Sequence, residues 1–300
     1  MKLTRLCTLL LCTGILFPIL AQAQSSLGTV RAFSVIGDVT LRNDSTGEEV
    51  ALTTGREFTE GFSVITAENA SVVLVQSNGA TLALEPETSL TVSEFLQDPF
   101  DTSGGTYTRL DEDPSTSQTR VRVNYGEVSG DVKRLRPASS YNVDLPTGSA
   151  GIRGTKWNVT VFVNFATGLV QVTWITAEGV VDFNYVGLTA EIPAGSQITS
   201  EGTLAEGSTL NQFEVIEVEV EDPEDAPENT LQEVLGKVSE ALGNTQREQD
   251  QTDPPADEGE EEAEEEGDTI EEPDVEGDPP AGDEDNVIDE FSPAGETTET

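Results

Sequence analysis

The 300-residue chain has no histidine, and both of its cysteines, Cys7 and Cys12, lie in the first 23 residues. Without histidine the commonest general base and the commonest zinc ligand are missing, and a Ser-His-Asp triad is impossible in any fold. Once the first 23 residues are set apart, no thiol is left for a disulfide, a thiolate metal site or a nucleophile. Catalysis would need a carboxylate pair, Lys, Tyr or an oxygen-ligated metal, and no motif singles one out. The chain reads as a non-enzyme without a cofactor. A carboxylate-based hydrolase of envelope polysaccharide is the enzymatic rival.

Positive charge is scarce as well. Fifteen Lys+Arg face 57 Asp+Glu, for a net charge of −42. Residues 24–220 hold 11 basic against 26 acidic side chains, a net of −15, and residues 221–300 hold 2 against 31, a net of −29. Such a field repels nucleic acid and anionic lipid and favours cationic or divalent partners.

The only long apolar run is at the start. Lys2 and Arg5 precede Leu6–Leu20, and 21-AQA-23 follows as a small-x-small cleavage site. This is the pattern of a secretory signal over 1–23, with Gln24 as the new N-terminus. The run is short for a membrane span, which needs about 20 apolar residues. A lipoprotein signal fails at Cys12, because bulky Leu11 precedes it. The expectation is an exported protein, periplasmic or extracellular, with no span after cleavage; an uncleaved N-terminal anchor is the alternative.

What the chain does have, from 29 to 220, is short alternating strands between Gly, Asn, Asp and Ser turns. Clear examples are 38-DVTLR-42, 62-FSVIT-66, 71-SVVLVQ-76, 80-ATLAL-84, 88-TSLTV-92, 120-RVRVNY-125, 155-TKWNVTVFVNF-165, 169-LVQVTWI-175, 179-GVVDFNY-185 and 213-FEVIEVEV-220. Helical periodicity is absent there, so the class is all-β, a sandwich, barrel or solenoid. The acidic stretch 97–118 reads as an exposed insertion. Its Asp98, Asp101, Asp111, Glu112 and Asp113 match no calcium-loop spacing, which favours a solvated loop over a metal site.

One helix is predicted over 229–243, with Asn229 and Gln232 as a capping box and Gly243 as its stop. Leu231, Val234, Leu235, Val238 and Leu242 share one face, for docking on the β domain or for self-association. Residues 221–249 thus form a linker with an amphipathic helix. Residues 250–300 are acidic, lack Lys and Arg, and cannot bury enough apolar surface to order, so they read as a disordered tail. The tail is a solubilising segment or a weak collector of Ca²⁺ or of a basic partner.

The stretch 149-SAGIRGTKWNVTVFVNF-165 raises phosphate chemistry and then removes it. Its spacing is G-x-x-G-x-x-G over Gly148, Gly151 and Gly154, and a strand follows where a phosphate loop needs a helix. The structural account is a sharp turn at these glycines, with Arg153 clamping loop carbonyls or a carboxylate. Seven basic residues gather nearby: Arg120, Arg122, Lys133, Arg134, Arg136, Arg153 and Lys156. They form a candidate patch for an anionic ligand, an acidic partner or the acidic tail, unless they pair with Glu127, Asp131 and Asp144. Trp157 and Trp174 lie in apolar alternating runs, which favours burial over a sugar-stacking platform.

The segment 140-SYNVDLPTGSAGIRGTKWNV-159 resembles the signature of the FecR domain, where an "f-x-V-x-T-P" strand precedes a "vRGT-x-f-x-V" element. The stretches 37-GDVTLR-42, 58-FTEGFSVITAENASVVLVQSNGATLALEPETSLTV-92 and 123-VNYGEVSGDV-132 resemble other elements of that domain in order, across about 30 to 200. Leu145 stands where the family often has Thr. The resemblance implies a FecR-like β-solenoid or β-sandwich over 24–220, outside the cytoplasm. Family members that regulate iron uptake carry a cytoplasmic anti-sigma region and a membrane helix before the domain, which then meets an outer-membrane transporter. Neither is present here, so the chain resembles stand-alone secreted members. The expected function is non-enzymatic: a binding, sensor-like or scaffold module at the cell envelope, with an envelope protein or glycan as partner. The alternative is an envelope structural or adhesion protein whose tail collects divalent cations.

Overall fold

Apolar side chains at every second position can be buried only if strands lie on strands, and the chain does this twice over. In a computed structural model that describes residues 26–101, 110–209 and 213–252, it forms, in order, β1 (Ser26–Leu27), β2 (Val30–Ile36), β3 (Val39–Asn43), β4 (Glu49–Ala51), β5 (Glu57–Phe58), β6 (Phe62–Thr66), β7 (Ser71–Gln76), β8 (Thr81–Leu84), β9 (Ser89–Gln97) and β10 (Ser117–Val132). There follow β11 (Ser140–Leu145), β12 (Gly148–Ile152), β13 (Thr155–Asn164), β14 (Leu169–Glu178), β15 (Val180–Tyr185), β16 (Leu188–Pro193), β17 (Ser196–Leu204), β18 (Val215–Val220), β19 (Glu224–Asp225) and the helix α1 (Glu228–Thr252). The expected signal over 1–23 lies outside the described residues, and so does the expected tail over 250–300 apart from 250–252, which continue α1 instead of belonging to a disordered segment.

The strands make two open sheets that sandwich one core. The first has the order β4-β3-β6-β9-β10-β11-β12-β15-β16, with β1 beside the end of β9. The second runs β5-β2-β7-β8-β10-β13-β14-β17, with β18 and β19 sharing the last edge. Of the two architectures implied by the motifs, the sandwich is the one observed. Val64, Leu90, Val121 and Val143 of the first sheet meet Leu74, Leu82, Val159 and Val172 of the second in a single buried cluster.

Strand β10 belongs to both sheets. Up to Tyr125 it pairs with β9 and β11; from Gly126 it pairs with β8 and β13. Gly126 has φ +92, and a Cβ there would collide with Thr88, so only glycine fits this corner. The connection 133–139 then returns the chain to the start of the strand, where the Asp113 N–H donates to the Arg134 carbonyl (2.9 Å). That return makes β11 parallel to β10, while the other strand pairs run antiparallel.

Trp157 and Trp174 are fully buried and stack with centroids 4.8 Å apart at 17°. No sugar platform exists there. Gly130, opposite Trp157 in the register, leaves room for the indole, which a Cβ would strike.

Three local expectations change. Gly148 and Gly151 lie within β12, not in a turn: Gly148 approaches the Asn184 carbonyl, 2.5 Å from where a Cβ would stand, while Gly151 has ordinary clearance. Gly154 alone of the three turns the chain, at φ +71. The helix begins at Glu228 with Thr230 and Leu231 donating to the Pro227 carbonyl; Gln232 bonds Glu228 instead of capping, and the helix runs past Gly243. Asp113 is no solvated loop acid but is 0% exposed, because the 133–139 return covers it.

The helix is docked, not free. Val234 packs with Ile175 and Ala226, and Leu231 joins them, on the outer face of the second sheet. No helix among the described residues is long and apolar enough to cross a membrane.

Candidate functional site

Outward side chains of the first sheet build a polar groove of about 650 Å³. The inward partners on these strands (Leu41, Val64, Leu90, Val123, Val143) are core, so alternation forces Arg42, Ser63, Thr91, Asn124 and Asp144 onto the outer face. Phe213, Glu214 and Val215, leading into β18, line the same groove.

A hydrogen-bonded ladder fixes the floor. Ser63 Oγ donates to Asp44 Oδ1 (2.7 Å) and lies 2.7 Å from Thr91 Oγ1. Asn124 Nδ2 donates to both Ser89 Oγ and Thr91 Oγ1 at 3.1 Å. Charges sit in facing pairs: Arg42 Nε is 3.5 Å from Asp44, and Arg122 Nη2 is 4.0 Å from Asp144. Asp144 also accepts from Arg120 Nη1 at 2.9 Å. Burial pushes the Tyr125 phenol above its ordinary range, with Ser89 and the Arg42 charge opposing, so the hydroxyl stays protonated.

Asp44 and Asp144 are thus held by hydroxyl and guanidinium partners, and Glu214 adds a third carboxylate to the groove. Among the described residues no group of three or more acidic side chains is arranged to hold a metal ion. Together these side chains present fixed hydrogen-bond donors and acceptors on one face of the first sheet.

The seven clustered basic residues do not form one patch. Arg122 lines the groove, and Arg120 reaches its edge through Asp144. Lys133, Arg134, Arg153 and Lys156 line a separate cleft of about 530 Å³, together with Asp111, Asp131 and Glu178. There Lys133 pairs with Asp131 (2.6 Å) and Lys156 with Glu178 (2.8 Å). Arg136 leaves both groups, donating to the carbonyls of Asp113 (3.0 Å) and Pro114 (2.7 Å).

The clamp expected of Arg153 is therefore made by Arg136. Arg153 is exposed and makes no ion pair among the described residues, because Gly154 turns the chain just beyond β12 and leaves the side chain in solvent. Sequence reasoning missed Arg42, Asp44, Tyr125 and Phe213. The signal that could have found the first two is the outward half of the 38-DVTLR-42 alternation, but register alone brings it beside Thr91.

No curated protein matches the chain. Two crystal structures of a candidate anti-sigma factor from Parabacteroides distasonis ATCC 8503, at 2.50 and 1.65 Å resolution, are similar at 15% identity and a TM-score of 0.34. The likeness covers 56% of this chain and 62% of that one, too distant an overlap to bear on role. The family model described as FecR protein matches residues 62–173, a shorter stretch than the motifs span. The sheets continue beyond it: β3 pairs with β6, and β15 with β12. The chain carries a FecR domain over residues 62–173.

Proposed function

We propose that the protein is a non-enzymatic, exported binding module of the cell envelope, sensor-like in role, and that the groove on the first sheet receives its ligand. The carrying observation is the groove itself: an open volume of about 650 Å³, on a rigid sheet, with its polar floor already hydrogen-bonded. Pre-organised side chains on strands lower the ordering cost of binding. Export is supported by the signal pattern over 1–23, and a regulatory rather than catalytic role by the FecR domain.

The test compares the full chain with an Arg122→Glu variant as bait for envelope extract. Arg122 is 58% exposed at its side chain, so the change spares the core. A specific partner kept by the wild type and lost by the variant is the expected result. An identical set of retained molecules for both baits would remove the groove from the function.

A further inference from the structure

We infer that the groove recognises a neutral oligosaccharide; this rests on the groove being the ligand site and names the ligand's chemical class. The first observation is charge balance. Arg42 faces Asp44, Arg122 and Arg120 face Asp144, and Glu214 lines the groove as a further acid, so the groove offers no uncompensated positive site to an anion. The separate cleft differs: its Arg134 and Arg153 side chains have no ion-pair partner among the described residues.

The second observation is the pattern of unspent hydrogen-bonding capacity. Both Asn124 amide protons go to Ser89 and Thr91, which leaves its Oδ1 as an acceptor fixed in direction. The outer guanidinium N–H groups of Arg42 and Arg122 are donors beside carboxylate acceptors. A donor beside an acceptor on a rigid strand matches a pair of adjacent sugar hydroxyls, each of which gives and takes one bond. A site built this way also rejects ligands that lack the hydroxyls, since its polar groups would be left desolvated and unpaired.

The third observation is aromatic. Tyr125 from the floor and Phe213 from the covering segment line the same space, both only partly buried. Phe213 meets Phe165 edge to face, centroids 6.2 Å apart at 80°, and aromatic carbon lining the groove suits the apolar C–H side of a pyranose ring, while the phenol adds a donor. The volume falls within the roughly 300–1,000 Å³ of small-molecule sites.

The full chain is applied to a glycan array that spans neutral and anionic oligosaccharides, and hits are titrated calorimetrically. At least one neutral oligosaccharide should bind, with a Kd nearly unchanged between about 50 and 500 mM salt, because no net charge is neutralised. Phe213→Ala and Tyr125→Leu should each weaken it about tenfold, the loss of one stacking contact. Near-ultraviolet circular dichroism of both variants should match the wild type. Retention of anionic glycans alone, or of none, overturns the inference. If the array is empty while Arg122→Glu still loses an envelope protein, the glycan class fails and the binding role stands. Neutral-glycan binding unaffected by both aromatic variants would place recognition outside the groove and overturn it too.

Discussion

Asp113 shows how far one residue can depart from its sequence context. It sits in an acidic, Ser-rich stretch, yet its Oδ2 accepts from Ser117 (2.6 Å) and Ser139 (2.8 Å) in a fully buried pocket. Burial pushes its pKa above the usual carboxylate value, although the two hydroxyls, the Ser115 N–H and Arg136 pull the other way. The folded state then holds its proton to higher pH than the unfolded chain does. Its contribution to stability is complete below the unfolded pKa and is lost as pH rises through the folded one. Asp113→Asn should therefore gain on the wild type as pH rises from about 3 to 7, measured by urea unfolding at each pH. Asp113→Ala should lose about 1–3 kcal/mol, because two buried hydroxyls lose their acceptor. Parallel pH profiles for the wild type and Asp113→Asn would show that burial does not hold the proton on this carboxyl. A second residue carries strain. Val186 has φ +43 in the β15–β16 turn, followed by Gly187 at φ +78, a turn that favours Asn-Gly. Val is β-branched and 75% exposed there, so nothing in packing offsets the backbone cost. Val186→Asn should stabilise by about 1 kcal/mol, seen as a shift in denaturant midpoint at constant slope.

At the scale of elements, alternation made most strands legible, and its failures are physical. In β17 the buried positions are Ser196, Ile198, Ser200, Gly202 and Leu204, small or polar residues that mask the period. In β2 a register shift between Ala32 and Ser34 breaks it. The two glycines of 126-GEVSGDV-132 read as punctuation, whereas they let β10 turn the corner and accommodate Trp157. The helix was legible from its apolar face, but its electrostatic attachment was not. Lys237 Nζ lies 2.6 Å from Glu127 and 3.1 Å from Glu233, with Glu85 and Glu240 nearby, and Glu127 also accepts from Asn158. Burial alone would lower the Lys237 pKa; the hydrogen bonds its ammonium donates to Glu127 and Glu233 outweigh it and raise it. Lys237→Ala leaves four carboxylates facing one another. Lys237→Met keeps the stem and removes only the charge, which separates packing from electrostatics. Both should loosen α1, each by about 1–3 kcal/mol, and open its amides to hydrogen exchange before the sheets. Exchange rates in α1 unchanged by Lys237→Met would mean that packing of Val234 and Val238 alone holds the helix.

For the whole molecule, the sequence carried the class, the FecR motifs and the core, because these depend on local period. The groove was hidden because it depends on which strands are neighbours: β3 and β11 are far apart in the chain, and only the order β3-β6-β9-β10-β11 brings Arg42 and Asp144 to one space. The pairing alternative for the basic cluster is met at Asp131 and Asp144, while its division between the groove and a separate cleft depends on strand order and is not legible from proximity along the chain. Global charge sets the salt dependence of stability. Ion pairs such as Arg120–Asp144 and Lys156–Glu178 are partly exposed, worth at most about 1 kcal/mol each, and weaken with salt. Against them stands the net charge of −15 over residues 24–220, whose self-repulsion is strongest in the compact state and is also screened by salt. Repulsion among so many like charges outweighs a few surface pairs. Raising sodium chloride from about 20 to 500 mM should then raise the melting temperature, by roughly 2–4 °C for each kcal/mol of repulsion relieved. A melting temperature that falls with salt in scanning calorimetry would show that the ion pairs, Lys237–Glu127 first among them, dominate the electrostatics of the fold.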